Sequence, residues 1–250
     1  MNIIPTSRIL DKLDYYLSKK EFDSAEKLLN NWANEAQLGK DVQGKLTILN
    51  EQIGLYRKRD KMQECLLAIE AALQLVSELG FSDTVTGATT YINAATGYKA
   101  FGMADRALPL YRQAKNIYEK SLALDDERLA ALYNNMALTL TQLKAYEEAG
   151  DLYEKAINVL MMNEHSKPDM AITYLNLADM ANSRYGPEEA EKYVYDYLDR
   201  AEELLDAKDI PTGSYYAYVC EKCAPVFDHY GYFMAKQKLE QRAREIYERT

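Results

Sequence analysis

Small and apolar residues recur along the chain at spacings that place them on one face of a helix. In the stretch 133–157, Ala137 is preceded by Tyr133 four residues earlier and followed by Leu140 three residues later. A second set of positions at such spacing follows twelve residues after Ala137: Ala149, Tyr153 and Ala156. Intervals of three and four residues are typical of an amphipathic α-helix. The stretch therefore predicts two helices joined by a tight turn.

The same arrangement recurs throughout the chain and predicts an array of helix pairs. The position of Ala149 is occupied in the other copies by Ala25, Cys65, Ala107, Ala190 and Ala235, at intervals of 40 to 45 residues. The position of Ala137 is occupied by Leu13, Ile53, Ala95, Ala178 and Cys223. Because most of these residues are small, we expect them to be buried where the paired helices approach closely.

We expect an all-α fold of six antiparallel helix pairs. No stretch shows sustained β alternation, and segments rich in Gly, Pro, Asp and Ser separate the copies. The predicted repeat units are approximately 6–40, 46–80, 88–122, 130–163, 171–206 and 214–250. Together they predict a single array over residues 1–250.

Composition and charge indicate which kinds of partner the protein can bind and in which cellular compartment it is expected. The chain is 48% hydrophobic and 28% charged, which is ordinary for a folded protein, and its formal net charge is −9. It lacks the basic surface that nucleic acids or anionic membranes require. No segment approaches 18 consecutive apolar residues, and the first residues do not resemble a signal peptide. We therefore expect a cytoplasmic protein that binds neither nucleic acid nor membrane.

The cysteines suggest neither disulfides nor a metal site. The chain has three cysteines, an odd and sparse set that is consistent with a reducing compartment. Cys220 and Cys223 form a C-x-x-C motif with His229 nearby, but a structural zinc site needs four ligands, and Cys65 and His165 belong to other repeats. Since Cys223 occupies a small-residue position of the sixth repeat, we expect packing to explain it and no metal to bind.

Catalytic signatures are missing as well. The chain has two histidines and no G-x-S-x-G, H-E-x-x-H or phosphate-binding glycine motif. Its paired carboxylates, in "EEAEKY" and "DDER", lie in charged segments that are typical of solvated surface. We therefore expect a non-enzymatic protein without a cofactor, with an enzyme of unprecedented type as the alternative.

The pattern resembles the tetratricopeptide repeat, whose signature is W-x₂-L-G-x₂-Y, then A-x₃-F, then P. This sequence has Y-x₂-A-A-x₂-Y at 91–98 and Y-x₂-M-A-x₂-L at 133–140, with A-x₃-Y beginning at Ala107 and Ala149. The closing Pro is absent, and the repeat of about 42 residues resembles that of kinesin light chains. The resemblance implies an α-α superhelix, the tetratricopeptide solenoid, whose first helices line a concave groove.

The resemblance also implies a peptide-binding role for three asparagines. The position two residues before each small residue faces the groove in this family, and it is occupied by Asn93, Asn135 and Asn176. A carboxamide donates and accepts hydrogen bonds, so it can pair with any peptide backbone. We expect these amides to be partly exposed and unpaired, and the adjacent Asn134 to line the groove too. The alternative is that the asparagines were copied by duplication and share no task.

The same register predicts the rest of the groove. Its lining would include Thr96, Lys99, Leu138, Thr141, Gln142, Asp179 and Asn182, and also Thr89, Ile92, Leu175 and Ser183. The middle of this surface is polar and nearly neutral. Its ends are more acidic, with Asp11, Asp14, Glu221 and Asp228, and its basic spot is Arg57 with Lys58.

Several functions are compatible with such a groove. We expect a protein-interaction scaffold that binds a peptide segment of unknown identity. Tetratricopeptide co-chaperones hold a C-terminal carboxylate with Lys and Arg, but Ala131 and Asn135 stand at those positions, which argues against a chaperone tail. One alternative is a sensor gated by a small signalling peptide; residues 1–8 leave no room for an effector segment, so its output would require another chain. Another is an assembly surface on the convex face.

Overall fold

The computed structural model describes residues 3–210 and 212–249, and within them the chain is all-α with twelve helices. The helices are α1 (Thr6–Ser18), α2 (Phe22–Gly39), α3 (Val42–Lys58), α4 (Met62–Glu78), α5 (Val85–Ala100), α6 (Ala104–Ser121), α7 (Glu127–Gln142), α8 (Tyr146–Leu160), α9 (Lys167–Tyr185), α10 (Pro187–Leu205), α11 (Ser214–His229) and α12 (Phe233–Arg249). Each odd-numbered helix packs against the next even-numbered helix, so the described chain forms six pairs, as the sequence predicts. We call these pairs repeats 1 to 6.

Two compact units divide the repeats between them. The N-terminal unit ends at Ser121 and holds repeats 1 to 3, and the C-terminal unit begins at Leu122 and holds repeats 4 to 6. Within the N-terminal unit, α3 and α5 contact each other directly. Within the C-terminal unit, α9 contacts both α7 and α11. Neighbouring first helices in each unit therefore form a side-by-side surface.

The turn inside each repeat uses a residue with left-handed backbone geometry. These residues are Lys20, Asp60, Gly102, Lys144, Gly186 and Gly231, with φ between 56° and 82°. Five of the turns contain three residues, which brings the second helix back antiparallel to the first. Gly102 and Gly231 adopt this geometry without the steric cost that a Cβ brings.

The predicted small-residue positions are all buried at the helix contacts. Ala95, Ala107, Ala137 and Ala149 are completely inaccessible to solvent. The corresponding residues of the other repeats, from Leu13 and Ala25 to Cys223 and Ala235, are at most 3% exposed. This result confirms the repeat interpretation, because the register was chosen from spacing alone.

Enlarging one of these residues should strain the contact. We expect Ala137→Leu to lower the free energy of unfolding by roughly 1 to 3 kcal/mol, because extra methyl groups force the α7 and α8 backbones apart. Ala131→Leu is the matched control, since Ala131 lies on the exposed side of α7. Chemical denaturation of both variants measures the effect, and equal stabilities would contradict the packing role of Ala137.

Candidate functional site

The three asparagines occupy equivalent places on first helices. Asn93 lies on α5, Asn135 on α7 and Asn176 on α9, and each is half-buried. Asn93 belongs to the N-terminal unit and the other two to the C-terminal unit. The three side chains are therefore partly exposed, as expected. Two of the three side-chain amides, however, form hydrogen bonds within the protein, whereas all three were expected to be unpaired.

In the N-terminal unit, Asn93 is part of a polar network between α3 and α5. Its Nδ2 donates to Asn50 Oδ1 at 2.9 Å, and Asn50 Nδ2 donates in turn to Thr90 Oγ1 at 3.1 Å. Asn50 Nδ2 also donates to the backbone oxygen of Leu46 at 3.0 Å. The expectation of an unpaired Asn93 amide is thus corrected. Adjacent first helices pack closely enough for their polar side chains to satisfy one another.

Asn134 makes the equivalent contact in the C-terminal unit. Its Nδ2 donates to Thr173 Oγ1 on α9 at 2.8 Å, as Asn50 does to Thr90. Its Oδ1 is buried and has no hydrogen-bond partner within the described residues. Asn134 was expected to line the groove, but its amide lies in the contact between α7 and α9.

Asn135 and Asn176 differ from each other in their bonding. Asn135 Nδ2 donates to the backbone oxygen of Ala131 at 3.0 Å, one turn earlier in α7, so its amide is engaged as well. This bond to the residue four positions earlier is a known alternative for polar side chains in helices. Asn176 has no hydrogen bond in the part of the chain that the structure describes. Of the three asparagines, it alone matches the expected unpaired state.

A buried tyrosine lies beneath the first-helix surface in two repeats. Tyr111 of α6 has its hydroxyl 2.8 Å from Thr96 Oγ1, a predicted groove residue. Burial raises the pKa of Tyr111 to about 12, which keeps its hydroxyl protonated. Tyr153 of α8 occupies the equivalent position and is also fully buried, but its hydroxyl has no hydrogen-bond partner among the described residues. It lies beside Thr141, whose Oγ1 donates to the backbone oxygen of Ala137 at 3.0 Å.

Lys99 adds a positive charge to the α3–α5 surface. Burial of its side chain, together with the nearby Arg57 guanidinium, lowers the pKa of Lys99 to about 8. Lys99 and Arg57 occupy corresponding positions, four residues after Ala95 and Ile53. The basic spot predicted around Arg57 therefore extends onto α5.

Asp179 and Asn182 come together with a tyrosine near the end of α9. The Tyr230 hydroxyl donates to Asp179 Oδ1 at 2.8 Å, and Asn182 lies beside the same hydroxyl. Burial raises the pKa of Asp179 above its usual value, while the Tyr230 hydrogen bond and nearby His229 act in the opposite direction. Two predicted site residues thus share one polar cluster.

The other predicted lining residues have mixed environments. Leu138 and Ile92 are half-buried, and Gln142 is exposed. Thr89 Oγ1 lies 2.7 Å from the Tyr118 hydroxyl, and Ser183 O accepts from the Tyr146 hydroxyl at 3.1 Å. Leu175 was expected on the groove but is only 3% exposed and packs into the core of the C-terminal unit, so that expectation was wrong.

Sequence reasoning also missed residues that belong to this surface. Glu51 occupies the position two residues before Ile53 and so corresponds to Asn93. Burial, and secondarily the charge of Asp14, raise the pKa of Glu51. Applying the same position, two residues before the buried residue, to the second repeat would have identified Glu51. The approach of Tyr230 to α9 depends on how α11 packs, and the spacing of residues along the sequence does not predict it.

Comparison with known proteins identifies the family. A sequence model of the tetratricopeptide repeat matches residues 45–120 and 128–203, more than half of the chain. The chain belongs to the tetratricopeptide repeat family. No curated protein sequence matches it significantly.

Solved structures with tetratricopeptide-like folds support this assignment. BtubC (BKLC) from P. vanneervenii is 19% identical with a TM-score of 0.59, over 92% of this chain and 90% of that one. A protein from Podosopora anserina assigned as a kinesin light chain, with nearly identical TPR-like repeats, is 18% identical with a TM-score of 0.58, over 81% and 94%. MamA is 16% identical with a TM-score of 0.53, over 82% and 98%. The expected resemblance to kinesin light chain repeats is therefore confirmed at the level of fold.

The cysteines of this tetratricopeptide protein are packing residues. Cys65, Cys220 and Cys223 are free thiols with at most 1% exposure. Burial raises the pKa of Cys65 to about 11 and that of Cys223 to about 12, which disfavours the thiolates that bind metals. Within residues 3–210 and 212–249, no three His, Cys, Asp or Glu side chains are grouped closely enough to hold a metal ion.

Among the described residues, no helix has the length and apolar character to cross a bilayer. Tetratricopeptide repeats generally serve as scaffolds for protein–protein interactions, and their fold presents first-helix surfaces of the kind described above.

Proposed function

We propose that this protein is a non-enzymatic scaffold that binds a peptide segment of a partner protein on its first-helix surfaces. The observation that carries the proposal is the recurrence of side-chain amides and hydroxyls at equivalent, half-buried positions of those helices, among them Asn93, Asn135 and Asn176. Such groups can pair with a peptide backbone whatever its sequence.

Asn176 is the residue through which we expect a peptide to be held most directly. Its carboxamide is half-buried and has no hydrogen bond within the described chain, so both its donor and its acceptor are available to a ligand. Asn93 uses its Nδ2 internally and keeps its Oδ1 for a ligand N–H group. The contribution of each asparagine therefore differs with its internal bonding.

A cytoplasmic location is part of the proposal. The three cysteines are free and buried, which is consistent with a reducing compartment. We propose no cofactor or metal, because no three His, Cys, Asp or Glu side chains of the described residues are grouped closely enough to hold a metal ion.

The test begins with the identification of a partner. Tagged wild-type protein is used to capture proteins from the native cytosol, and the captured partner's segment is then synthesised as a peptide. We expect Asn176→Ala to weaken binding of that peptide by roughly 0.5 to 1.5 kcal/mol, since one hydrogen bond is lost. The free energy of unfolding should stay within about 0.5 kcal/mol of wild type, because no internal bond is broken. Fluorescence anisotropy and chemical denaturation measure the two quantities.

Asn158→Ala provides the matched control, because Asn158 is exposed on the second helix α8. A combined Asn93→Ala, Asn135→Ala and Asn176→Ala variant should lose more affinity than Asn176→Ala alone, although the losses need not add. If the peptide binds the combined variant as tightly as wild type, the proposed role of the asparagines is refuted.

A further inference from the structure

The polar cluster around Asp179 in the C-terminal unit has an incomplete set of partners. Tyr230 donates to Asp179 Oδ1 at 2.8 Å, which fixes the carboxylate between α9 and the end of α11. No hydrogen bond or ion pair to the second oxygen is present in the described part of the chain. Asp179 nevertheless remains exposed, so a ligand can reach this oxygen.

A second group close to Asp179 is a buried hydroxyl. Tyr153 has no exposed surface, and its hydroxyl, which is close to Thr141 and Asp179, forms no hydrogen bond of ordinary length in the described structure. Its equivalent in the N-terminal unit, Tyr111, is satisfied by Thr96 at 2.8 Å. A buried hydroxyl without a hydrogen bond of ordinary length costs free energy, so a water molecule or ligand group that bonded to it would remove that cost.

The nearby cations of α9 and α12 are engaged by other carboxylates. Arg184 is paired with Glu147, and Lys236 is paired with Asp228 at 3.1 Å. No lysine or arginine pairs with Asp179 among the described residues. His229 is the basic group whose charge acts on Asp179, and it is exposed at the end of α11. Within the described residues, the Asp179 carboxylate therefore has no cationic ion-pair partner.

We propose that Asp179, Asn182 and Tyr230 form a subsite for a cationic side chain, arginine or lysine, of the bound partner. This inference rests on the proposed function and specifies the chemistry of one residue of the ligand. A guanidinium offers planar donors to the free oxygen of Asp179 and to the amide oxygen of Asn182. Charge-assisted bonds of this type are stronger than neutral ones. The Tyr153 hydroxyl completes the subsite by donating to a water molecule beneath the cation.

Single amino-acid derivatives serve as probes and separate charge from shape. Nα-acetylarginine amide and Nα-acetyllysine amide are titrated into the ¹⁵N-labelled protein, with Nα-acetylcitrulline amide as the neutral analogue of arginine. We expect saturable shifts of the backbone signals of Thr141, Asp179 and Asn182 with the two cations only. Shifts of the same size with citrulline, or no saturable shift with any probe, would overturn the proposal.

Two variants locate the effect. Asp179→Asn removes the charge while its amide oxygen can still accept from Tyr230, and we expect it to weaken arginine binding roughly tenfold. Asp151→Asn, on the exposed side of α8, changes the net charge equally and should leave binding unchanged. If both variants weaken binding to the same extent, only the general charge of the protein is involved and the subsite does not exist.

Tyr153→Phe tests the buried hydroxyl separately. It removes an unsatisfied group, so we expect a melting temperature equal to or above that of wild type, with arginine binding weakened a few-fold. Unchanged binding would overturn the part assigned to Tyr153. If arginine binds at Asp179 but the combined Asn93→Ala, Asn135→Ala and Asn176→Ala variant keeps its peptide affinity, the subsite is supported and the proposed asparagine contacts are contradicted. If arginine does not bind but the combined variant loses peptide affinity, the asparagine contacts are supported and the subsite is contradicted.

Discussion

Replacing Phe227 by alanine is expected to lower the free energy of unfolding by about 3 to 5 kcal/mol. Phe227 on α11 is completely buried in the core shared by α9, α10, α11 and α12, and its ring centroid lies 5.9 Å from that of Tyr232. Alanine would forfeit the transfer free energy of the ring and leave a cavity that neighbouring helices fill only partly. Urea denaturation followed by circular dichroism measures the loss.

Phe233→Ala is the control for this prediction. Phe233 is the first residue of α12 and is 60% exposed, so its removal creates no cavity. We expect a change within about 0.5 kcal/mol. A loss of similar size in both variants would contradict the placement of Phe227 in the core.

Gly87→Ala is expected to destabilise the protein by roughly 1 to 3 kcal/mol or more, because the start of α5 has no space for a side chain. A Cβ at Gly87 would lie 2.0 Å from the backbone oxygen of Phe81. That oxygen accepts from the backbone nitrogen of Thr84 at 3.0 Å and from Thr84 Oγ1 at 2.9 Å, so moving it would disturb the N-terminal cap of the helix. Thermal unfolding of the variant measures the cost.

A second glycine distinguishes this clash from the general effect of alanine in helices. Gly54 lies inside α3, and a Cβ built there meets nothing within 4 Å. We expect Gly54→Ala to raise stability by about 0.5 to 1 kcal/mol, because alanine loses less backbone entropy on folding. We therefore expect Gly87→Ala to lower the stability of the protein and Gly54→Ala to raise it. Equal changes in stability would refute the close approach of Phe81 to Gly87.

The sequence alone was sufficient to predict the repeat architecture. Intervals of three, four and twelve residues located the helix contacts, and residues such as Ala137 and Ala149 proved to be completely buried. The prediction succeeded because each repeat buries the same helical face, so small and apolar residues recur in the sequence at nearly regular intervals. Cys223 was likewise assigned to packing from its register and is 1% exposed.

The hydrogen bonding of the candidate site was decided by tertiary structure. Register placed Asn93 and Asn134 on first helices, but it carried no information about Asn50 or Thr173, which come from adjacent repeats and engage their amides. A polar side chain takes whichever partner the packed neighbour brings within reach, and that distance depends on the contact between helices rather than on spacing along one of them. The sequence by itself therefore determined which faces of the helices are buried. Only the tertiary packing of α11 on α9 brought the Tyr230 hydroxyl to Asp179, because the two residues belong to different helices.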